Sequence, residues 1–296
     1  MTQPLRIAVT GKTGQVVTAL IERGAAAGHE VIALGRPELD LAAPAVVASV
    51  LKAAAPDVVV SAAAYTAVDK AETERDLAHA INGVGAGAVA RAVREIGAPV
   101  IHVSTDYVFD GGLDRPYLES DPTSPSGVYG ASKLAGEQAV LAEHGDNAAV
   151  LRVAWVYSPF GGNFAKTMLR LASDRDEVSV VLDQIGNPTS ALDIADGILL
   201  VAANLASSDD PALRGVFHMT AGGEASWAEF ATSIFAASAS RGGPSARVKP
   251  ITTAEYPTPA IRPANSRLDC SRISRVHGVA LPHWRDSLDT VVARLI

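Results

Sequence analysis

The sequence predicts an α/β protein: a Rossmann-like, doubly wound parallel sheet with a smaller α/β lobe for substrate. Three observations lead there. Apolar β-branched runs alternate with Ala-rich helical stretches through the first half, a Gly-rich turn closes the first run, and the second half is looser and punctuated by Gly and Pro. The 296 residues suit one core with an appended lobe, and 48% hydrophobic against 19% charged residues can fill it.

The runs Ile7–Thr10, Val31–Leu34, Val58–Ser61 and Val100–Ser104 read as strands. They are apolar throughout, as expected of strands covered on both faces by helices, and the stretches between them are long enough for crossover helices, so the strands run parallel. A helix over Tyr129–Glu143 and a strand over Ala149–Ala154 continue the pattern. Beyond Trp155 the sequence predicts a helix at Asn163–Ala172 and a Val-rich run at Val178–Leu182. Further helices are expected at Ala191–Asn204, with Asp193 and Asp196 in its first turn, and at Ser226–Ser240, where Ser226 and Glu229 have capping-box spacing. The Pro-rich stretch Gly242–Pro263 reads as irregular. Residues 1–154 are expected to form the nucleotide-binding domain, with part of 190–225 returning to it, and 155–296 mainly the substrate lobe.

A net charge of −7 argues against a protein whose main task is gripping nucleic acid, so an anionic ligand must be held by local features. Cys270 is the only cysteine, which excludes an internal disulfide or thiolate cluster and suits a reducing, cytoplasmic setting. The apolar stretch in Met1–Gly14 is too short for a signal peptide. Longer ones are broken, as Lys52, Pro56 and Asp57 break residues 46–64, so no membrane span is expected. The seven His residues show no H-x-x-x-H spacing, so no catalytic metal is expected.

The first strand ends in Thr10-Gly11-Lys12-Thr13-Gly14-Gln15 before a helical pattern. Gly11 permits a tight turn and Gly14 a close approach to a pyrophosphate favoured by the helix N-terminus. Val17 stands where a third glycine would complete the fingerprint, which sets the helix slightly further from the sheet, and taken alone the motif is equally compatible with a plain structural turn. The second strand ends in Leu34-Gly35-Arg36 with no ribose-binding carboxylate. Arg36 offers a fork for a 2′-phosphate, favouring NADP; the alternative is a solvated surface arginine. Tyr129 and Lys133, four apart, share one helix face, close enough for the ammonium to lower the phenol pKa. Thr105 lies where the fourth strand ends, the ligand side of an open α/β sheet. Asp106 and Tyr107 either orient Thr105 or satisfy the strand end.

The stretches GKTGQV (11–16), AAAYTAVDKAE (62–72), HVSTDYVFDG (102–111), VYGASKLAGE (128–137), RVAWVYSPFGGNF (152–164), DQIGNPTSALDIAD (183–196) and RPANSRLD (262–269) resemble, in shared order, the extended short-chain dehydrogenase/reductases and, within them, the dTDP-4-dehydrorhamnose reductase family. The resemblance implies NADPH-dependent reduction, with NADH as a further donor, of the C4 keto group of a dTDP-linked 4-keto-6-deoxy sugar to dTDP-L-rhamnose. Thr105 would bond the substrate carbonyl, Tyr129 donate the proton, and Lys133 hold the nicotinamide ribose. The implied cofactor contacts are Gly11, Thr13, Gly14, Gln15, Val16, Arg36, Asp40, Leu41, Ala62, Ala63, Ala64 and Tyr65, with Tyr129 and Lys133. Those to the sugar nucleotide are Thr66, Val68, Thr105, Asp106, Tyr107, Trp155, Asn163 and Arg262. Asn163-Phe164, Gln184–Thr189 and Arg262 would converge on its diphosphate. Related reductases also place an Asn at the position of Asn82, which hydrogen-bonds across the site or breaks a helix.

Some members of that family dimerise through acidic residues holding magnesium. This chain has Gln15 where they have an acid, so no metal is carried over and a homodimer stays open. Two rivals stand beside the reductase. One is a non-catalytic subunit like the regulatory subunit of methionine adenosyltransferase, whose signal would be loss of Thr105, Tyr129 or Lys133. The other is a nucleotide-sugar epimerase or dehydratase with tightly held NAD. Dehydratases usually carry an acid directly after the strand-end Asp, where this chain has Tyr107.

Overall fold

A computed structural model describes residues 3–296. Six strands form one parallel sheet: β1 (Arg6–Thr10), β2 (Glu30–Leu34), β3 (Val58–Ser61), β4 (Val100–Thr105), β5 (Ala148–Val153) and β6 (Gly215–His218). Their order is β2-β1-β3-β4-β5-β6, so the chain reverses direction across the sheet between β1 and β3. In an open α/β sheet this switch point, at the carboxyl ends, is where ligands bind. Each strand predicted in the first half lies within a residue or so of its expected place.

Period-two alternation divides the apolar side chains between two faces. Ile7, Val9, Val58, Val60, Ile101 and Leu151 point to one core, and Ala8, Val59, Val100 and Val150 to the other. On the first face α1 (Gln15–Ala26) packs against the helix Ala191–Ser207, whose chain runs on into β6, so the second half of the sequence returns to the sheet. On the second face lie α2 (Val47–Ala54), α3 (Ala86–Ile96) and α4 (Val128–His144). Val17 is buried and reaches back to the turn, where a Cβ on Gly11 would sit 3.2 Å from its Cγ2. It fills the room that a third glycine leaves empty.

The remaining chain builds on the first core through Tyr157, Met168, Val178, Phe230 and Trp284. The helix Trp227–Ala239 opens with the capping box expected of Ser226 and Glu229. One expectation fails: the stretch read as irregular contains the strand Arg247–Ile251, paired in parallel with Glu177–Val181. It belongs to a two-stranded sheet, where an edge tolerates the missing N–H of Pro250, so its proline masked it. Among the described residues no helix is long and apolar enough to cross a membrane.

Helix α4 sits unusually close to its neighbours because two glycines face main chain. A Cβ on Gly130 would lie 2.1 Å from the Tyr107 carbonyl oxygen, and one on Gly136 2.2 Å from that of Asn82. Helix propensity alone would make Gly136→Ala stabilising by up to about 1 kcal/mol. Here the added methyl must push α4 off rigid backbone, and we expect a net loss of about 2 kcal/mol in urea unfolding. A variant as stable as the parent would show that the contact relaxes freely.

Candidate active site

The carboxyl ends of β1 and β3 are tied together by Thr10, whose Oγ1 accepts the N–H groups of Ala62 (3.0 Å) and Ala63 (2.9 Å). Above this tie opens a cleft of about 880 Å³. Gly11 begins its floor at φ +105°, a conformation that favours glycine. Gly11 through Val17 line the cleft, and the first N–H groups of a helix lack intrahelical partners, so α1 presents donors to a phosphate there. Beside the turn the rim carries Gly35, Arg36, Leu39, Asp40 and Leu41. Lys12 joins this rim and pairs with Glu38. The sequence reading passed over Lys12, although a cation between the two glycines of the turn was its visible signal.

Past β3, Ala62, Ala63, Ala64, Thr66 and Val68 line the next section. Tyr65 does not: its hydroxyl donates to Glu74 (2.6 Å), and its N–H donates to the Asn82 side-chain oxygen (2.7 Å). Asn82 in turn donates to the Tyr65 carbonyl (3.0 Å) and to Ser132 on α4 (2.9 Å). Asn82 is therefore a clasp between this loop and α4 and does not end a helix, since the chain continues through a π-helical turn at Ala80–Gly85 into α3.

Thr105, Tyr129 and Lys133 face the same cleft. The Thr105 hydroxyl donates to Asp106 Oδ1 (3.0 Å) and accepts the Tyr107 N–H (3.3 Å), so Asp106 and Tyr107 both orient it. Asp106 Oδ2 is buried without a hydrogen-bond partner, and burial raises this carboxyl to about 6. The Tyr129 ring stands edge-on to Tyr107, with centroids 5.5 Å apart. Burial pushes its phenol up to about 12, against the pull of the Thr105 hydroxyl. Lys133 is buried and brought down to about 8, with Glu137 opposing the shift. Its ammonium donates to the Val103 carbonyl (2.7 Å) and meets His102 Nε2 at 3.3 Å. The expectation that Lys133 lowers the phenol is not met in this arrangement, because a buried ammonium needs acceptors and β4 supplies them.

The far wall is aromatic: Trp155, Trp227 and Phe164, with Gly161 and Gly162. Trp155 adopts φ +46° and stacks on Trp227 at 3.5 Å between centroids. A Cβ on Gly186 would come within 2.5 Å of the Trp155 ring, so this glycine gives the indole its seat. Trp227 was missed in the sequence, where it reads only as the first residue of a capped helix.

Two further expected residues lie outside the lining. Asn163 caps the helix Phe164–Ala172 and donates to Gln15 Oε1 (3.0 Å) and the Ser158 carbonyl (2.8 Å). Arg262 forms a two-pronged pair with Asp69 at 3.1 and 2.9 Å. Gln184–Thr189, expected at the diphosphate, do not themselves line this cleft. Gln184 bonds Thr253, while Asn187 donates to the Gly223 carbonyl and accepts the Leu268 N–H, so these amides hold loops together. Arg36, Lys12 and the α1 amides at one end, with Thr105, Tyr129 and Lys133 midway, fit an extended phosphorylated dinucleotide.

The RmlD substrate binding domain family matches residues 5–296. A dTDP-4-dehydrorhamnose reductase of Sinorhizobium fredii is 51% identical over 292 residues, 99% of this chain and 98% of that protein. The dTDP-4-dehydrorhamnose reductase of Clostridium acetobutylicum superposes with a TM-score of 0.90 at 36% identity, covering 98% of this chain and 99% of the other. That of Bacillus anthracis, solved in complex with NADP, gives 0.89 at 36% identity with the same coverage.

Asp106 offers a test by pH. Its folded value of about 6 lies above the ordinary carboxyl value of 3.8, so between these the folded state keeps a proton that the unfolded chain has lost. Stability from this group is full below about pH 4 and is lost as pH rises through about 6. The stability advantage of Asp106→Asn over the parent should therefore grow from about pH 4, level off above about pH 6, and reach about 3 kcal/mol. Denaturant titrations across this range check it; a difference independent of pH would remove the buried charge from the account.

Proposed function

The chain belongs to the RmlD substrate-binding-domain family, and we propose that its cleft reduces a nucleotide-linked keto sugar through Thr105, Tyr129 and Lys133. The activity is reduction of the C4 keto group of a dTDP-4-dehydro-6-deoxy-L-sugar to dTDP-L-rhamnose, with NADPH as donor. One observation carries the assignment of residues: all three face the cleft whose other end is the turn Gly11–Val17.

NADPH, when bound, supplies the hydride. Thr105 holds the substrate carbonyl with its hydroxyl, preset by Asp106 and the Tyr107 N–H. Tyr129, with its phenol near 12, is fully protonated at neutral pH and gives its proton to the oxygen as negative charge develops there. Lys133 holds the ribose hydroxyls and offsets that charge. Trp155 and Trp227 form the wall against the sugar, while Arg36 and Lys12 receive the 2′-phosphate, leaving NADH as a weaker donor. Arg262 is the proposed contact to the sugar nucleotide's diphosphate, exchanging Asp69 for phosphate oxygens.

In domain terms, residues 1–154 with the returning strand β6 hold the cofactor, and 155–296 mainly hold the sugar nucleotide. The reading includes a cytoplasmic setting, for which the lone, half-buried Cys270 speaks, and a homodimer, which light scattering of the pure protein reads directly. The complete catalytic set in one cleft speaks against a non-catalytic subunit.

Purified protein mixed with NADPH and the dTDP-4-keto sugar should lose the absorbance of the reduced cofactor; no loss would overturn the activity. Tyr129→Phe should lower kcat by roughly 10² to 10⁴ with the fold intact. Arg36→Ala should raise KM for NADPH more than for NADH, since only NADPH carries the extra phosphate. Equal changes would take Arg36 off that phosphate.

A further inference from the structure

His102 lies on β4 one residue before the carbonyl that Lys133 binds, and its side chain points to the same face as Val100, toward α4. It is buried, with Nε2 3.3 Å from Lys133 Nζ and Nδ1 3.2 Å from Ser61 Oγ on β3. These contacts fix its tautomer. An ammonium has three N–H donors and no lone pair, so Nε2 must be the acceptor and the ring proton must sit on Nδ1, donating to Ser61. With the Val103 carbonyl taking a second N–H, β4 engages two of the three donors from behind. The third is left for the cleft that Lys133 lines.

We propose that His102 is a positioning residue for the reduction: as its neutral Nδ1–H tautomer, anchored by Ser61, it accepts a hydrogen bond from Lys133 and holds that ammonium charged and aimed into the cleft. The proposal rests on the role given to Lys133 above. The groups facing Lys133 leave few substitutes for this acceptor. Strand β4 contributes His102 and the Val103 carbonyl. On α4 itself stand Tyr129 and Glu137, and Glu137 is engaged by Ser104 and Arg152. The packed turn Ala80–Gly85 brings no titratable side chain. Burial and the neighbouring ammonium both keep the imidazole uncharged, so it stays an acceptor across the working pH range.

Without this acceptor, one N–H of a buried ammonium goes unpaired, which disfavours the charged lysine. In His102→Leu the alkaline limb of the kcat profile should move down by about one pH unit. At pH 9 kcat should fall about tenfold, with KM for the sugar nucleotide within about twofold. His102→Gln places a carboxamide near the position of Nε2 and should restore the limb and bring kcat within about threefold. His102→Asn, polar but too short to reach, should behave like the leucine variant and replaces it if His102→Leu fails to fold. Nitrogen-15 NMR of the ring, assigned by its loss in His102→Gln, should show a proton on Nδ1 and a bare Nε2. A limb that stays put in both His102→Leu and His102→Asn, an asparagine variant as good as glutamine, or a proton on Nε2 would each overturn the proposal. The tautomer is read without turnover, so a parent protein that fails to reduce the sugar would count against the proposed function alone.

Discussion

The arrangement depends on how closely α4 seats against β4. This helix carries Tyr129 and Lys133, and a buried charged group, Glu137, does much of the work of fixing it. It accepts hydrogen bonds from Ser104 on β4 and from Arg152 on β5. A buried ion pair recovers its desolvation cost only when its bonding capacity is well used. The Arg152 guanidinium spreads further, lying 5.0 Å from the centre of the Phe109 ring and 3.4 Å from His218 on β6. One polar seam thus joins α4 to three neighbouring strands. It specifies a single seating for the helix in a way that the Ala-rich packing around it does not.

The protonation states near this seam follow from burial. Tyr129, Asp106 and Lys133 are each pushed toward the neutral form, to about 12, 6 and 8. For the phenol this means a proton held at neutral pH. For the lysine it means a charge that must be supported by the hydrogen bonds of β4, and the same strand that ends in Thr105 supplies them. Thr105 and the acceptors that support Lys133 therefore belong to one strand.

The sequence made the sheet legible because uninterrupted β-branched runs have few other fates in a chain with this many Ala-rich spacers. The strand Arg247–Ile251 escaped because Pro250 counts against strand in a local reading, and only its partner Glu177–Val181 makes it one. Within the site, Gly11, Thr105, Tyr129 and Lys133 were readable because strand ends and helix spacing are local properties. Trp227 was not, since its place depends on what the chain brings opposite it. Asn163, Gln184 and Asn187 stand in matched segments that suggest ligand contacts, and in the structure each bonds nearby main chain or side chains. Arg262 reaches a partner 193 positions away, beyond any local pattern.

Gln15 opens α1 and lines the glycine-turn end of the cleft, but its side-chain oxygen accepts from Ser158 and Asn163, and Gly161 packs against its stem. The loop it grips supplies Gly161 and Gly162 to the aromatic wall of the cleft and leads into Phe164. The two halves are consequently not interchangeable modules. A chimera that imports a cofactor turn from a relative with a different residue at this position would also unfasten the loop at 158–163, so the boundary of a successful graft must enclose both segments, however far apart they stand in the chain.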